Sequence, residues 1–250
     1  MWKLWAIFLI LLYPGNTDRL QAADLSPRQI IDRAVQTDKR LRESRTAYEY
    51  DFVLKTQKLD RKDKVLSTRE LKARVRPSKE ISYTVEILQD SETKSEADKK
   101  KQTKQMQEAQ QLMTKIELEK LADQYDYVLQ GTAKVLNRSC FIIAFSPKPD
   151  FKVSSREEKV LHALSGRLWI DQQQYSILKS EASLKKPVAV AWFFATMREL
   201  NFTYLAFLLP NGDPAPASFD LFLDVQVSFN YQRQRQQSTM TNYQKSPEKR

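Results

Sequence analysis

The residues that enzymes use for nucleophilic chemistry are few in this chain. His162 is the single histidine, it lies in KVLHALSG, and no G-x-S-x-G sequence supplies a serine nucleophile. Cys140 is the single cysteine, which excludes an internal disulfide and a metal site built from several cysteines. After residue 23, glycine occurs only at Gly131, Gly166 and Gly212, so a glycine-rich phosphate loop is absent. We therefore expect His162 to be a packing or surface residue and Cys140 a small buried hydrophobe.

Paired carboxylates are the remaining source of acid–base chemistry. Glu157 is adjacent to Glu158, and Asp220 lies four residues before Asp224. A hydrolase that uses two carboxylates needs such a pair. Carboxylates that alternate along a strand more often belong to a solvated face. We predict that the chain is not an enzyme and has no cofactor and no metal, and the carboxylate-pair hydrolase is kept as an alternative.

The first residues have the pattern of an export signal. Lys3 is followed by ten apolar or aromatic residues at 4–13 (LWAIFLILLY), and the segment 20–23 (LQAA) ends in small residues. Ten residues are too few to span a bilayer, which needs about 20. The sequence predicts a signal peptide over 1–23, cleaved near Ala22 or Ala23, and a periplasmic protein.

The chain is basic, with a formal net charge of +10. This charge favours anionic lipid head groups or an acidic protein partner. Because the charges are spread along the chain, an ordinary solvated surface explains them as well. Export disfavours nucleic acid as a partner, and we predict none.

Apolar periodicity predicts the elements that would position any site. A helix is expected over 25–43, with Ser26 as N-cap and Pro27 at its first position. From Ala47 the period changes to two, which predicts a first strand, a return strand over 65–76 ended by Pro77 and Ser78, and a third over 80–88.

A polar segment at 91–123 interrupts the predicted sheet. Met106, Ala109, Met113 and Ile116 recur at helical spacing, which predicts an amphipathic helix over about 95–122. The stripe suits ordinary core or an adaptable binding groove, because methionine repacks easily.

The remaining chain returns to strands. We expect strands over 126–136 and 139–145, a short helix within 154–164, and a hairpin over 166–184 in which Tyr175 belongs to the second strand. A turn at 210–214 precedes the last long strand, whose alternation runs over 219–231, and the tail from Gln232 is polar.

Aromatic residues are crowded between residues 192 and 207. They are Trp192, Phe193, Phe194, Phe202, Tyr204 and Phe207. A thick core explains them, and so does a pocket lined for a lipid or an acyl chain.

Together these elements predict an α+β fold. It contains a large curved antiparallel sheet of nine to eleven strands, with helices against one face that leave an apolar cavity. We expect one domain over 24–245, which includes the helical insertion at 91–123, and a disordered tail over 246–250.

Three segments resemble the LolA-like superfamily of periplasmic outer-membrane lipoprotein carriers. They are YEYDFVLKTQKLDRKDKV at 48–65, YDYVLQGTAKVLNRSCFIIAFSPKP at 125–149 and GRLWIDQQQYSILKSEASL at 166–184. The third is similar to the family's G-x-L-W-I-D hairpin, and the second to its strand pair around N-G-R-x-C-Y.

The resemblance implies an unclosed β-barrel with helices as a lid over the concave face. The cavity of such a protein takes up the acyl chains of a lipid or lipoprotein and carries them through the periplasm without covalent chemistry. We expect membrane-bound donor or acceptor proteins as further partners, and we expect a monomer.

By position, the resemblance places ten residues on cavity-facing strands. They are Tyr50, Phe52, Leu54, Tyr83, Val85, Ile143, Leu168, Ile170, Leu223 and Val225. An arginine of an early strand latches the lid in the carriers, and Arg69, Arg74 and Arg76 are the candidates here. The long polar insertion departs from a simple lid, so a regulatory or sensor module that binds a protein partner is the alternative function.

Overall fold

The computed structural model describes residues 25–246, except for 79–81, 93–94, 96–97, 99, 101–102, 105–118, 120–121, 154–155, 192–194 and 229. The predicted signal peptide, the methionine stripe and the aromatic residues 192–194 lie outside the described residues. So do residues 247–250 of the predicted tail, whereas the backbone N–H of Ser246 donates to Ala47 O at 2.9 Å.

In the described part of the chain, two helices and eleven strands have defined bounds. The helices are α1 (Pro27–Arg45) and α2 (Arg156–His162). The strands are β1 (Tyr48–Leu59), β2 (Val65–Ser78), β3 (Ser82–Asp90), β4 (Tyr125–Val135), β5 (Arg138–Pro147), β6 (Leu164–Asp171), β7 (Ile177–Leu184), β8 (Val188–Ala191), β9 (Ala195–Leu208), β10 (Pro214–Val227) and β11 (Asn230–Lys245). Among the described residues, no helix has the length and apolarity needed to cross a membrane.

Helix α1 begins where the sequence predicts. The Ser26 hydroxyl accepts from the Gln29 N–H, the Gln29 side chain accepts from the Ser26 N–H, and Pro27 stands at the first helical position. This capping box satisfies two amide groups that a helix start leaves without partners. The apolar stripe of the helix is buried: Ile30, Ile31, Ala34, Val35 and Leu41. The predicted helix is confirmed.

The strands form one antiparallel sheet in the order β3-β2-β1-β11-β10-β9-β7-β6-β5-β4, with β8 paired to β9. Strands β3 and β4 end the order and do not pair with each other, so the sheet is not closed. A large antiparallel sheet that does not close was predicted, and it is confirmed.

Two predicted element boundaries are wrong. Strand β2 continues through Pro77 and Ser78, and Pro77 lies opposite Tyr83 of β3. Because the β1–β2 register begins only at Val75, the missing N–H of Pro77 interrupts no bond to β1. Tyr175 is a turn residue with φ 56°, and it precedes β7. Asp171 fixes that turn, because its Oδ1 accepts from the Gln173 N–H at 2.8 Å.

The segment from Gln232 is polar, as its sequence shows, but the prediction that it is a tail is wrong. Residues 230–245 form β11, the longest strand, which pairs with β1 on one side and β10 on the other. The predicted strand over 219–231 instead ends at Val227, where Ser228 with φ 53° starts the reversal into β11. Strand β11 therefore lies within the sheet, between β1 and β10.

Strand β5 is apolar on both faces, as its sequence predicts for a central strand. Phe141 and Ile143 pack with α1 in a first cluster, together with Ile170. Cys140 packs in a separate cluster on the other side, with Trp169. Alternate residues of a strand point to opposite faces, so β5 contributes to two cores.

Candidate functional site

Helix α1 packs on one face of the sheet, which we call the α1 face. Cross-strand partners lie on the same face of a sheet, so strand register extends this face from Ile143 across eight strands. The row runs through Ile143, Leu168, Ser180, Tyr204, Phe219, Ser238, Leu54 and Leu71. Six of these eight side chains are apolar or aromatic.

The opposite face is polar along the neighbouring row. One residue away, the row begins at Ala144 of β5, and its partners on the other seven strands are Arg167, Glu181, Thr203, Asp220, Gln237, Lys55 and Glu70. Five of them are exposed, and Glu181 and Asp220 are half-buried. Along this row the face opposite α1 is solvated. Elsewhere on the same face, Cys140 and Trp169 pack in the second buried cluster.

All ten residues predicted to line a cavity belong to the α1 face. Ile143, Leu168 and Leu54 lie in the row itself. Ile170, Phe52, Tyr50, Leu223 and Val225 are at alternate positions of the same strands, and Tyr83 and Val85 pair with Pro77 and Val75 of β2. Sequence spacing had left the choice of face open, and strand pairing decides it.

The ten residues form two packed groups and one link. Ile143, Leu168 and Ile170 pack beneath α1. The group on β1 and β3 packs around buried residues of β2 and consists of Tyr50, Phe52, Leu54, Tyr83 and Val85. Leu223 and Val225 lie on β10, between these groups in the strand order. Their role in binding lipid stays a prediction.

The three latch candidates point to different faces. Arg69 lies two residues before Leu71, which places it on the α1 face, and it binds Asp90 with Nη2–Oδ2 at 2.6 Å. Arg74 pairs with Asp51 at 2.7 Å on the opposite face. Arg76 also points to that face, and its Nη1 lies 2.5 Å from Glu86 Oε2. Of the three, Arg69 is the one that shares a face with the predicted cavity residues.

Half-buried aromatic and aliphatic side chains occupy the middle of the α1 face. We call this group the central patch: Phe202, Tyr204, Phe219, Leu221 and Leu223. The Phe219 ring lies 5.8 Å from that of Phe202 and 5.1 Å from that of Tyr204, between centroids. All five residues retain accessible surface, whereas Ile143 and Ile170 beneath α1 are fully buried.

Aromatic rings continue from the central patch towards β1. Tyr243 stacks on Tyr50 at 4.9 Å and lies 5.2 Å from Phe207. Its hydroxyl donates to Pro216 O at 2.7 Å. Asn242, with φ 55°, marks the irregularity that sets Tyr243 against Tyr50.

Arg45, in the last turn of α1, places a positive charge beside these tyrosines. Its Nε donates to Pro214 O at 3.0 Å, and its Nη1 lies 3.8 Å from Asp38 Oδ1. Asp38 also accepts from Arg42 at 2.7 Å, so two guanidinium groups share this one carboxylate. No described residue accepts a hydrogen bond from Arg45 Nη2.

The charge of Arg45 acts on three tyrosine hydroxyls. Burial raises the pKa of Tyr204 to about 12, and Arg45 opposes that rise. Burial likewise raises the pKa of Tyr83 and of Tyr243, again with Arg45 opposing. Each hydroxyl is therefore neutral at physiological pH and can donate a hydrogen bond.

Three surface clefts lie apart from most of the predicted cavity residues. The largest, of about 660 Å³, has Arg167, Glu181 and Thr203 of the opposite face among its lining residues. The second, of about 350 Å³, includes Asp220 and Arg233. Of the ten predicted lining residues, Tyr50 alone lines one of these three clefts, a third one of about 100 Å³.

Packing contacts explain His162 and Cys140, and other side chains pair with Asp220 and Asp224. His162 stacks on Phe151 at 5.4 Å, as expected of a packing residue. Cys140 is fully buried, and burial raises its thiol pKa to about 11, which confirms a small buried hydrophobe. Asp220 accepts from Gln237, whereas Asp224 lies 3.5 Å from Arg233, so the two carboxylates have different partners. In the described part of the chain, no group of three His, Cys, Asp or Glu residues could hold a metal ion.

Sequence reasoning missed Arg45 and Tyr243. Tyr243 lies in the stretch that was assigned to a polar tail, whose sequence lacks the alternation that indicates a strand. Arg45 carries no sequence signal, because a basic residue is common in the last turn of any helix.

An open antiparallel sheet of eleven strands, with helix α1 packed on one face, defines an α+β protein. No protein-family model matches the chain, and no curated protein matches it by sequence.

Several solved structures are similar to it. A DUF1329 family protein from Desulfovibrio piger matches with a TM-score of 0.41 and 12% identity, over 90% of this chain and 95% of that one. A putative outer membrane lipoprotein-sorting protein domain from Vibrio parahaemolyticus matches with a TM-score of 0.37 and 8% identity, over 88% and 95%. A LolA superfamily protein from Nitrosomonas europaea matches with 0.34 and 9%, over 89% and 94%.

The structural neighbours thus include a lipoprotein-sorting protein domain and a LolA superfamily protein. The three sequence segments described above resemble the same superfamily. Because every identity is below 25% and every TM-score below 0.5, nothing about the function of this chain follows from them.

Proposed function

We propose that this chain is an exported, non-catalytic binding protein that shields the acyl chains of a lipid or lipoprotein on its α1 face. The mature chain would act in the periplasm as a single domain, with helices that cover the loaded face. Sorting of outer-membrane lipoproteins is the process that this activity fits.

The central patch is the observation that carries this proposal. It lies on β9 and β10, between the cluster beneath α1 and the cluster on β1 to β3, and its aromatic and aliphatic side chains keep part of their surface accessible. Accessible apolar surface of this kind marks a site of interaction. An acyl chain is a suitable occupant, because burial of each methylene group stabilises the complex by roughly 0.8 kcal/mol.

The polar opposite face supports the same proposal. Charged residues occupy it, among them Arg167, Glu181 and Lys55, so that side keeps the protein in solution while the other side holds an apolar ligand. Among the latch candidates, Arg69 has the position from which a charged group could hold a covering element, and its present partner is Asp90.

The first test is native mass spectrometry with lipid extraction on the mature protein purified from its own periplasm. We expect a bound phospholipid or acylated peptide. Protein that is empty, and that takes up no fluorescent acyl probe, contradicts the proposal and favours the regulatory module that binds a protein partner.

A matched pair of variants connects binding to the α1 face. Leu223→Asp places a charge in the central patch, and we expect probe affinity to fall at least about tenfold, since an unpaired charge is costly in an apolar site. Gln226→Asp places the same charge on the opposite face of the same strand and should leave affinity unchanged. If Leu223→Asp does not fold, the bulkier but apolar Leu223→Trp replaces it, and unchanged affinity in a folded variant contradicts the assignment of the face.

A further inference from the structure

The hairpin that joins β1 to β2 projects from the rest of the sheet. Every residue over 61–68 is exposed. Strand β11 pairs with β1 only as far as Leu59, and β3 pairs with β2 only from Leu71 onwards. Among the described strands, β1 alone therefore pairs with the first residues of β2. We call residues 58–68 the hairpin tip.

Two large apolar side chains are exposed on the hairpin tip. Val65 is 44% exposed and Leu66 is 66% exposed, the largest fraction of any large hydrophobic residue that the structure describes. Lys58 pairs with Ser67 and Leu59 with Val65, so Leu66 is the extra residue of a β-bulge. A bulge aims side chains away from the regular sheet. Leu66 is therefore available to an apolar partner outside the chain.

The hairpin tip carries a net positive charge. Four basic and two acidic side chains leave a charge of +2: Lys58, Arg61, Lys62 and Lys64 against Asp60 and Asp63. The charged residues of β9 to β11 beside the tip balance one another: Arg198, Arg233 and Arg235 against Glu199, Asp220 and Asp224. The neighbouring strands therefore do not cancel the charge of the tip.

Contacts within the turn hold Asp60 and leave the lysine side chains to solvent. Asp60 Oδ1 accepts from the backbone N–H of Lys62 at 2.8 Å and from that of Lys64 at 2.9 Å. No described residue forms an ion pair with the ammonium group of Lys58, Lys62 or Lys64. Unpaired lysines beside exposed apolar residues favour a surface that is anionic outside and apolar beneath.

We propose that the hairpin tip docks on a membrane surface that contains anionic phospholipid. Val65 and Leu66 would enter the interfacial layer, and the lysines would lie against the phosphate groups. Each basic residue near an anionic leaflet strengthens binding, and so does each buried apolar group, so the two parts act together.

Strand pairing connects the hairpin tip to the central patch. Leu223 pairs with Gln234, Gln234 with Lys58, and Lys58 with Ser67. Docking would therefore place the Leu223 end of the patch towards the bilayer. The docking site goes beyond the proposed function, because it rests on the residues of the tip and not on the ligand.

Co-sedimentation of the mature protein with vesicles tests the apolar part. Vesicles of phosphatidylcholine are compared with vesicles of phosphatidylcholine and phosphatidylglycerol in equal parts. We expect binding to the mixed vesicles, weakened by salt because ions screen exposed charges. Leu66→Asp should lower this affinity at least about tenfold, since it removes apolar surface and adds a charge. Leu88→Asp is the matched control and should change nothing, because Leu88 is also an exposed leucine at a bulge, on β3.

The basic part is tested by Lys62→Glu. We expect affinity for the mixed vesicles to fall about tenfold or more, and affinity for phosphatidylcholine vesicles to stay unchanged. Lys134→Glu, at an exposed lysine of β4, is the control and should change neither. No binding to mixed vesicles, or an equal loss in Leu66→Asp and Leu88→Asp, overturns the proposal. A dimer in light scattering that Leu66→Asp disperses assigns the tip to a second copy of the chain and also overturns it.

A fluorescent acyl probe without vesicles separates this inference from the proposed function. Leu66→Asp should leave probe affinity unchanged, because Leu66 lies outside the central patch. Protein that binds vesicles but no probe contradicts the proposed function alone. Protein that binds the probe but no vesicles contradicts only the docking.

Discussion

At the scale of single residues, the backbone of the paired strand leaves no room for a side chain at Gly166, the first residue of the G-R-L-W-I-D hairpin. It lies opposite Ala182 in the β6–β7 pair, and a Cβ built on it would lie 1.9 Å from the backbone O of Glu181. Backbone atoms at that distance cannot move aside as a flexible side chain can. The glycine is therefore required by the close approach of two strands.

We expect Gly166→Ala to lower the free energy of unfolding by about 3 kcal/mol or more, because the methyl group forces the hairpin apart. Urea unfolding followed by circular dichroism measures the change. Ser183→Ala on the paired strand is the control and should stay within about 0.5 kcal/mol of wild type. Equal stability of Gly166→Ala and wild type would show that the two strands are farther apart than described.

Asp51 provides a second prediction at this scale. The Asn242 amide, which donates to Oδ2 at 2.8 Å, and then Arg74 hold its pKa below the usual value. A depressed pKa in the folded state contributes stability above the unfolded pKa of about 3.9, and this stability is lost as pH falls through the folded pKa.

Asp51→Asn should therefore be less stable than wild type at neutral pH, by about 1 kcal/mol, and the difference should shrink as the pH falls below about 4. Urea unfolding at both pH values measures this, with exposed Asp150→Asn as the control. A difference that persists unchanged in acid would mean that the Asp51 carboxylate charge does not cause it.

At the scale of elements, β11 decides how the sheet is assembled. Its residues pair with both β1 and β10, so it joins the N-terminal strands to the rest of the sheet. Only Met240 and Ser238 of this strand are buried, and most of its side chains are polar. Its position is therefore maintained mainly by backbone hydrogen bonds to two neighbours, which a hydrophobic pattern does not reveal.

Gln236 tests this account, because it pairs with Thr56 on one side and Leu221 on the other. Gln236→Pro removes a backbone donor within a central strand, and we expect a loss of about 3 kcal/mol or more. Gln236→Thr keeps the donor and should stay within about 0.5 kcal/mol of wild type. Thermal unfolding of both variants distinguishes the backbone from the side chain; equal stability of the two would contradict the central position of β11.

At the scale of the whole molecule, the two faces of the sheet differ in composition. The α1 face collects apolar residues from strands that are distant in sequence, such as Leu54 and Ile143. The opposite face combines a row of mostly polar residues with the cluster around Cys140. Helix α1 packs against the β5–β6 end of the apolar face, while the central patch on β9 and β10 remains half-buried.

The sequence by itself determined the α1 helix, most of the strands and the β6–β7 hairpin. Capping residues, alternation and turn residues act over a few positions, so they are readable without a structure. It also narrowed the chemistry, since one histidine and one cysteine leave little from which to build a catalytic centre.

Only the tertiary structure decided which faces of the strands coincide, and therefore that all ten predicted residues share the α1 face. It also placed the polar segment 230–245 within the sheet, between β1 and β10, and set Tyr243 against Tyr50 and Phe207. These features depend on register between strands far apart in the chain. Register is set by the sum of many long-range backbone hydrogen bonds and contacts, which local sequence patterns do not encode.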